Sequence, residues 1–201
     1  LTDGGLPLGV YPSGSDATDF IVQTAQPGQV NLVVSFGGLG LQFWDGAQTV
    51  GNGIVDGGSG TWSRATSNWT NPTGSVNAAW SGGFAVFAGA AGTVTLAESV
   101  PVGGMQFSTD GYRIVGATGA QLQADAAFDV RVDAGVTATV DAAIADGGAP
   151  STLTTFDEGT LVLGGVNTYS GGTSVDGGTL QVSADTNLGA PSAALALIGF
   201  V

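Results

Sequence analysis

The chain has no histidine, no cysteine and no lysine, and its only side-chain cations are Arg64, Arg113 and Arg131. Each absence removes a class of chemistry. Without histidine there is no Ser-His-Asp or Cys-His nucleophile system and no imidazole to hold a metal. Without cysteine there is neither a disulfide framework nor a thiolate site. Three scattered arginines against 16 acids give a net charge of −13. That charge repels phosphate backbones and anionic lipid, so nucleic acid is not expected as a partner. Only two acids are glutamates, Glu98 and Glu158. Long apolar runs are missing as well: the longest, AALALIGFV (193–201), is too short to cross a hydrocarbon core about 30 Å thick. The chain opens LTDGGLPLGV, with no basic leader, and reads as a piece of something larger.

Glycine is abundant, 36 of 201 residues, and 43% of the chain is hydrophobic. Glycine usually makes up about 7% of a sequence, and with no Gly-X-Y period the excess points to frequent tight turns. Helix signals are scarce, because β-branched residues dominate the apolar set and glycine interrupts nearly every window. Period-two alternation is plain in GTVTL (92–96), where Val94 and Leu96 share a face opposite Thr93 and Thr95. It recurs in FDVRV (128–132), GTLVL (159–163) and GTLQV (178–182).

Gly-led strands begin at 92, 111, 135, 159 and 178, in steps of 19, 24, 24 and 19 residues. Such steps match one coil of a parallel β-solenoid, in which each strand lies above its own copy and only stacking dries the shared core. On that reading Leu161 and Leu180 point into one core, while Thr179 and Gln181 face solvent. An antiparallel sandwich also uses short strands and Gly-rich turns, but it does not need the same Gly-Thr-Leu element to return at coil spacing. The expected fold class is therefore all-β, a parallel β-solenoid with a less regular N-terminal part. Residues 1–80 read as irregular coils carrying a Trp-rich excursion, and residues 81–201 as regular coils. Strands are expected at 30–36, 41–46 and 84–89, and the stretch at 63–77 reads as looser.

GTLVLGGVNTYSGGTSVDGGTLQV (159–182) resembles the passenger-associated repeat of bacterial autotransporters. Some ten positions match that pattern without a gap, within a repeat placed at 156–189. LQFWDG, DGGSGTW…NWT (56–70), FAVFAGAAGTVTL (84–96) and GMQFSTDGYRI (104–114) also resemble passenger sequence of the adhesin type, whereas residues 1–40 carry no such resemblance. The resemblance implies a right-handed parallel β-helix carried to the bacterial cell surface, across the outer membrane, with the help of a C-terminal membrane barrel of the same polypeptide. The implied role is a non-enzymatic stalk or adhesin segment that meets a protein or glycan on a host or neighbouring cell. Absence of cysteine fits threading through a narrow pore.

Other chemistries stand beside that resemblance. A β-helical polysaccharide-cleaving enzyme or tailspike-like domain would use paired carboxylates, but it would also need cations to hold a polyanionic sugar. A carbohydrate-binding module would use Trp44, Trp62, Trp69 and Trp80 as a stacking platform; core is the favoured reading, with Trp69 the ring most expected to be exposed. DGG occurs at 3, 56, 146 and 176, but the copies lack the full pattern of a stacked calcium repeat and read as turns. Asn167 reads as an inward turn or ladder amide, and Asn68 heads a formal Asn-Trp-Thr sequon. No catalytic, cofactor-binding or metal-binding residue is expected, and no cofactor.

Overall fold

The computed structural model describes residues 40–198, together with the main chain of 20–23 and 31–34. Phe20–Gln23 pairs antiparallel with Asn31–Val34, the second lying inside the strand expected at 30–36. From Leu41 onward the chain winds into a parallel β-solenoid of about five turns. The described residues hold no α-helix, only a short 3-10 turn at Asp185–Leu188.

One face of the solenoid is a six-stranded sheet. Its strands, in stacking order, are Gly60–Trp62, Thr93–Leu96, Arg113–Gly116, Thr137–Val140, Thr160–Leu163 and Thr179–Val182. Every neighbouring pair is parallel. A second face stacks Leu41–Trp44, Phe84–Phe87, the end of Val100–Phe107, the end of Gln121–Val132, Thr152–Phe156, Gly172–Val175 and Leu195–Leu197, again in parallel. The strand Gln121–Val132 also turns a corner: its first residues pair with Ala143–Asp146 and with Val100–Val102 on a third face, and the register shifts between Ala124 and Asp129. Period-two alternation is what lets this work on the first face, where a strand such as Thr93–Leu96 buries one set of side chains and turns the other outward, whereas Phe84–Phe87 and Gly172–Val175 on the second face are buried throughout.

The core is a set of columns. On the first face Val94 pairs with Ile114, Ile114 with Val140, Val140 with Leu163 and Leu163 with Val182. All but Val182 are almost wholly buried. Leu161 pairs with Leu180 as expected, and Thr179 and Gln181 are exposed. Leu180 is only partly buried, because no strand lies beyond Thr179–Val182 in its sheet.

The coil steps differ from those read off the glycines. In register they are 20, 26, 23 and 19 residues. At Gly111 the phase slips, so that Tyr112 and Ile114 turn inward, and at Gly135 it is Val136, Ala138 and Val140. Leading glycines mark the turns. The apolar alternation marks the rung, and the two need not keep a constant offset.

Candidate functional site

The aromatic end of the solenoid is the most suggestive stretch of sequence. All four tryptophans are buried there, and Trp69, expected to be the exposed ring, is fully covered. The stretch 63–77 around it is mostly turns and irregular chain, with one short strand inside it. Trp69–Thr70 pairs antiparallel with both Leu41–Trp44 and Asn77–Ala78, which folds the excursion back onto the end of the core. Trp69 stands edge-on to Trp44 at 5.2 Å and to Trp62 at 4.8 Å, and lies 4.4 Å from Trp80. The indole N–H of Trp44 donates to the Gly58 carbonyl at 2.8 Å, and that of Trp80 to the Pro101 carbonyl at 2.7 Å. Such edge-to-face contacts stabilise an aromatic cluster beyond its area. A ring buried in such a plug offers no face to a sugar.

The asparagines are structural too. Asn167 is buried; its Oδ1 accepts the Ile144 N–H at 2.8 Å, and its Nδ2 donates to the Asn187 carbonyl at 2.6 Å. Asn187, one rung on and also buried, repeats the device by donating to the Gly165 carbonyl at 2.8 Å and accepting the Ser183 and Ala184 amides. Asn167 is thus the inward amide that its sequence context suggests, whereas Asn187 escapes a reading of sequence alone. Placing residues 167 and 187 on adjacent rungs would find it. Asn68 is buried, and its Nδ2 serves the Gly46 and Thr61 carbonyls, so the sequon nitrogen is engaged inside the fold.

Several acids are tied to local partners. Glu98 accepts the Arg64 amide and guanidinium, and these bonds hold its carboxyl below the usual range; Glu158 is exposed. Asp146 lies against Ser151 and Ser170. Burial would push its carboxyl up, but the Ser170 hydroxyl and the two serine amides outweigh that and hold it low. Asp56 follows the bend at 53–54, and its carboxylate accepts Asn52 Nδ2 at 2.7 Å. Asp176 stands before Gly178, whose φ of 64° puts the chain in the left-handed region and whose missing Cβ lets it pass the Gly159 carbonyl. Asp3 lies outside the described residues.

Asp45 is not among the residues the sequence singles out, yet it is fully buried. Burial pushes its carboxyl up, against the pull of Asn77 Nδ2 and the Asp56 N–H that donate to it. Burial also raises Asp129 and Asp133. All three arginines are paired: Arg64 with Glu98, Arg113 with Asp141, and Arg131 with Asp157. Arg131 also stacks over Phe156, with 4.7 Å to the ring centroid. No group of three or more acids among the described residues could hold a metal ion. A groove of about 460 Å³ runs between Val166–Thr168 and residues 185–193 near the last rungs. It is mostly apolar, with Asp185 its one acid.

A family model described as the passenger-associated-transport-repeat matches residues 153–182. Those residues are thus similar to the repeat of passenger segments that the sequence already resembled. They supply nearly all of Thr152–Phe156 and the strands Thr160–Leu163, Gly172–Val175 and Thr179–Val182, so the matched stretch holds two successive rungs on each of two faces. Nearly the whole chain, 99%, is 42% identical over 212 aligned positions to the adhesin BmaC autotransporter of Brucella suis biovar 1 (strain 1330). The chain spans only 6% of that protein's length. No solved structure matches the chain. A passenger segment of this kind lies at the bacterial surface, exported across the outer membrane.

Proposed function

We propose that these coils are a non-catalytic adhesive segment: a stiff length of passenger that holds contact surfaces clear of the cell. The observation that carries the reading is the unbroken parallel stack, whose inward columns are filled from Val94 to Leu163. A rod built this way transmits position along its axis, because each rung is hydrogen-bonded to the next. The 42% identity to a protein named as an adhesin supports the adhesive half of the reading. Three polar side chains of the rungs, Asn167, Asn187 and Asp146, are bonded to backbone or to a serine hydroxyl. A C-terminal membrane barrel of the same polypeptide would anchor the rod, and a protein or glycan on a host or neighbouring cell would be its partner.

Two measurements test this. Microspheres coated with the chain should attach to an epithelial monolayer above the level of uncoated ones; equal attachment contradicts the adhesive role. The chain incubated with neutral and acidic polysaccharides should release no new reducing ends. Turnover that disappears on replacing one aspartate would make it an enzyme instead.

A further inference from the structure

Beside the first rungs two loops, residues 45–59 and 71–77, cross at a single carbonyl. The amides of Asn52 and Gly53 both donate to the Gly74 carbonyl, at 3.0 and 2.9 Å. Asn52 is held by its side chain as well: Oδ1 accepts the Ile54 N–H at 2.8 Å, and Nδ2 donates to the Asp56 carboxylate at 2.7 Å. The crossing has no slack. A Cβ on Gly51 would collide with the Ser75 carbonyl, and one on Gly74 with the backbone of Ile54. The root of the loops is fastened separately, since Asp45 accepts the Asp56 N–H and Asn77 Nδ2, each at 2.8 Å, and Val55 is buried against Phe43, Phe84 and Val86. Asn52 and Gly53 themselves are exposed to water. Of the seven asparagines in the chain, only Asn52 precedes a glycine.

We propose that Asn52–Gly53 is a self-modification site, whose conversion to aspartate or isoaspartate unfastens the crossing for good. The inference goes beyond the adhesive reading and does not depend on it. The chemistry needs only this chain and water. The Gly53 nitrogen, with no Cβ beside it to crowd the approach, attacks Asn52 Cγ. A C–N bond forms, the Cγ–Nδ2 bond breaks, and Nδ2 leaves as ammonia with the Gly53 amide proton, relayed through water. Water then opens the cyclic imide. Cleavage between Cγ and the Gly53 nitrogen gives aspartate; cleavage between the main-chain carbonyl carbon and that nitrogen gives isoaspartate. In the closed crossing the Gly53 N–H is tied to Gly74 and both ends of the Asn52 amide are engaged, so the reaction proceeds from moments of local opening. Afterwards the crossing cannot close as before. Aspartate sets a second carboxylate where Nδ2 met Asp56, turning an attraction into a repulsion. Isoaspartate adds a methylene to the main chain between two amides that share one carbonyl, where the neighbouring Gly51 and Gly74 lack room for a Cβ.

The test ages the whole chain at neutral pH and body temperature and maps its peptides by mass spectrometry, with aspartate and isoaspartate separated by chromatography. Asn52 should convert ahead of the other six asparagines, and faster in urea, where the bonds that restrain it are gone. The converted fraction, isolated by ion exchange, should lose amide-exchange protection at 52 and 53, while the Asp56 amide, bonded to Asp45, keeps its own. An Asn52→Gln chain, which would have to close a larger ring, should gain no charge at that position and show no such loss with age. Asn52 left intact, another asparagine converting first, conversion slower in urea than in the folded chain, or a converted chain still protected at 52 and 53 would each overturn the proposal. So would an Asn52→Gln chain that loosens with age as the wild type does.

Discussion

At the scale of single residues, the fold uses polar side chains as internal fasteners. Asn167 bridges two rungs through its amide, so Asn167→Ala strands the buried Ile144 N–H and should cost about 1–3 kcal/mol in urea unfolding. A cost below about 0.5 kcal/mol, normal for surface changes, would mean the bridge is unimportant. The acids make a second prediction. Burial raises Asp45, Asp129 and Asp133 above their ordinary range, so the folded state holds these protons more tightly than the unfolded chain does. Stability then falls as pH rises from the ordinary carboxylate value through the raised ones, and mild acidification from neutral should increase the melting temperature. Below the ordinary value the trend reverses, because Asp146 is held low and its contribution is lost as it protonates. Asp129→Asn should stabilise the chain at neutral pH and flatten the rise; a melting temperature that only drops between neutral and the carboxylate range contradicts this. Asn167 is legible because an Asn beside Gly-rich turns in a repeat has few other uses. Trp69 and Asp45 are not. Both faces of Trp69–Thr70 are buried by a chain reversal, and nothing in the polar neighbours of either residue announces it.

At the scale of elements, a strand's contribution depends on what lies on both sides of it. Leu161 has rungs above and below and is almost fully buried, whereas Leu180 has a rung on one side only. Leu161→Ala should cost about 2–5 kcal/mol, the usual range for a buried leucine, with Leu180→Ala below it and Gln181→Ala within about 0.5 kcal/mol. Because coils couple mainly to their neighbours, amide exchange should quicken around 137–182 and hardly change at Thr93–Leu96. A larger loss at Gln181 than at Leu161 would put the register one residue out, since a one-residue slip turns every side chain to the other face. Alternation within GTVTL, GTLVL and GTLQV shows which residues face inward, and the structure keeps those faces. The steps through residues 111 and 135 depart from the glycine spacing because a leading glycine does not start the rung. Those two glycines sit in turns with positive φ, one residue nearer to the inward positions.

At the scale of the whole molecule, the two ends of the described solenoid differ. One is filled by the tryptophan cluster and closed by antiparallel strands, and the other leaves Val182, Leu195 and Leu197 exposed in positions that are inward on earlier rungs. Coil-length repetition in the sequence foretells the stack between those ends. It cannot foretell the plug, which has no repeat to betray it. The central claim is that successive Gly-led strands lie parallel and in register, and the absence of native cysteine allows a direct measurement. Thr160 pairs with Thr179 on adjacent rungs, and neighbouring strands run about 4.8 Å apart, within the Cα separation a disulfide accepts. The Thr160→Cys/Thr179→Cys chain should therefore close an intrachain disulfide on mild oxidation, as should Thr137→Cys/Thr160→Cys. Thr93→Cys/Thr179→Cys, several rungs apart, should stay reduced. If both adjacent pairs stay reduced, or the distant pair closes as readily, the strands do not stack as parallel rungs and the account is wrong.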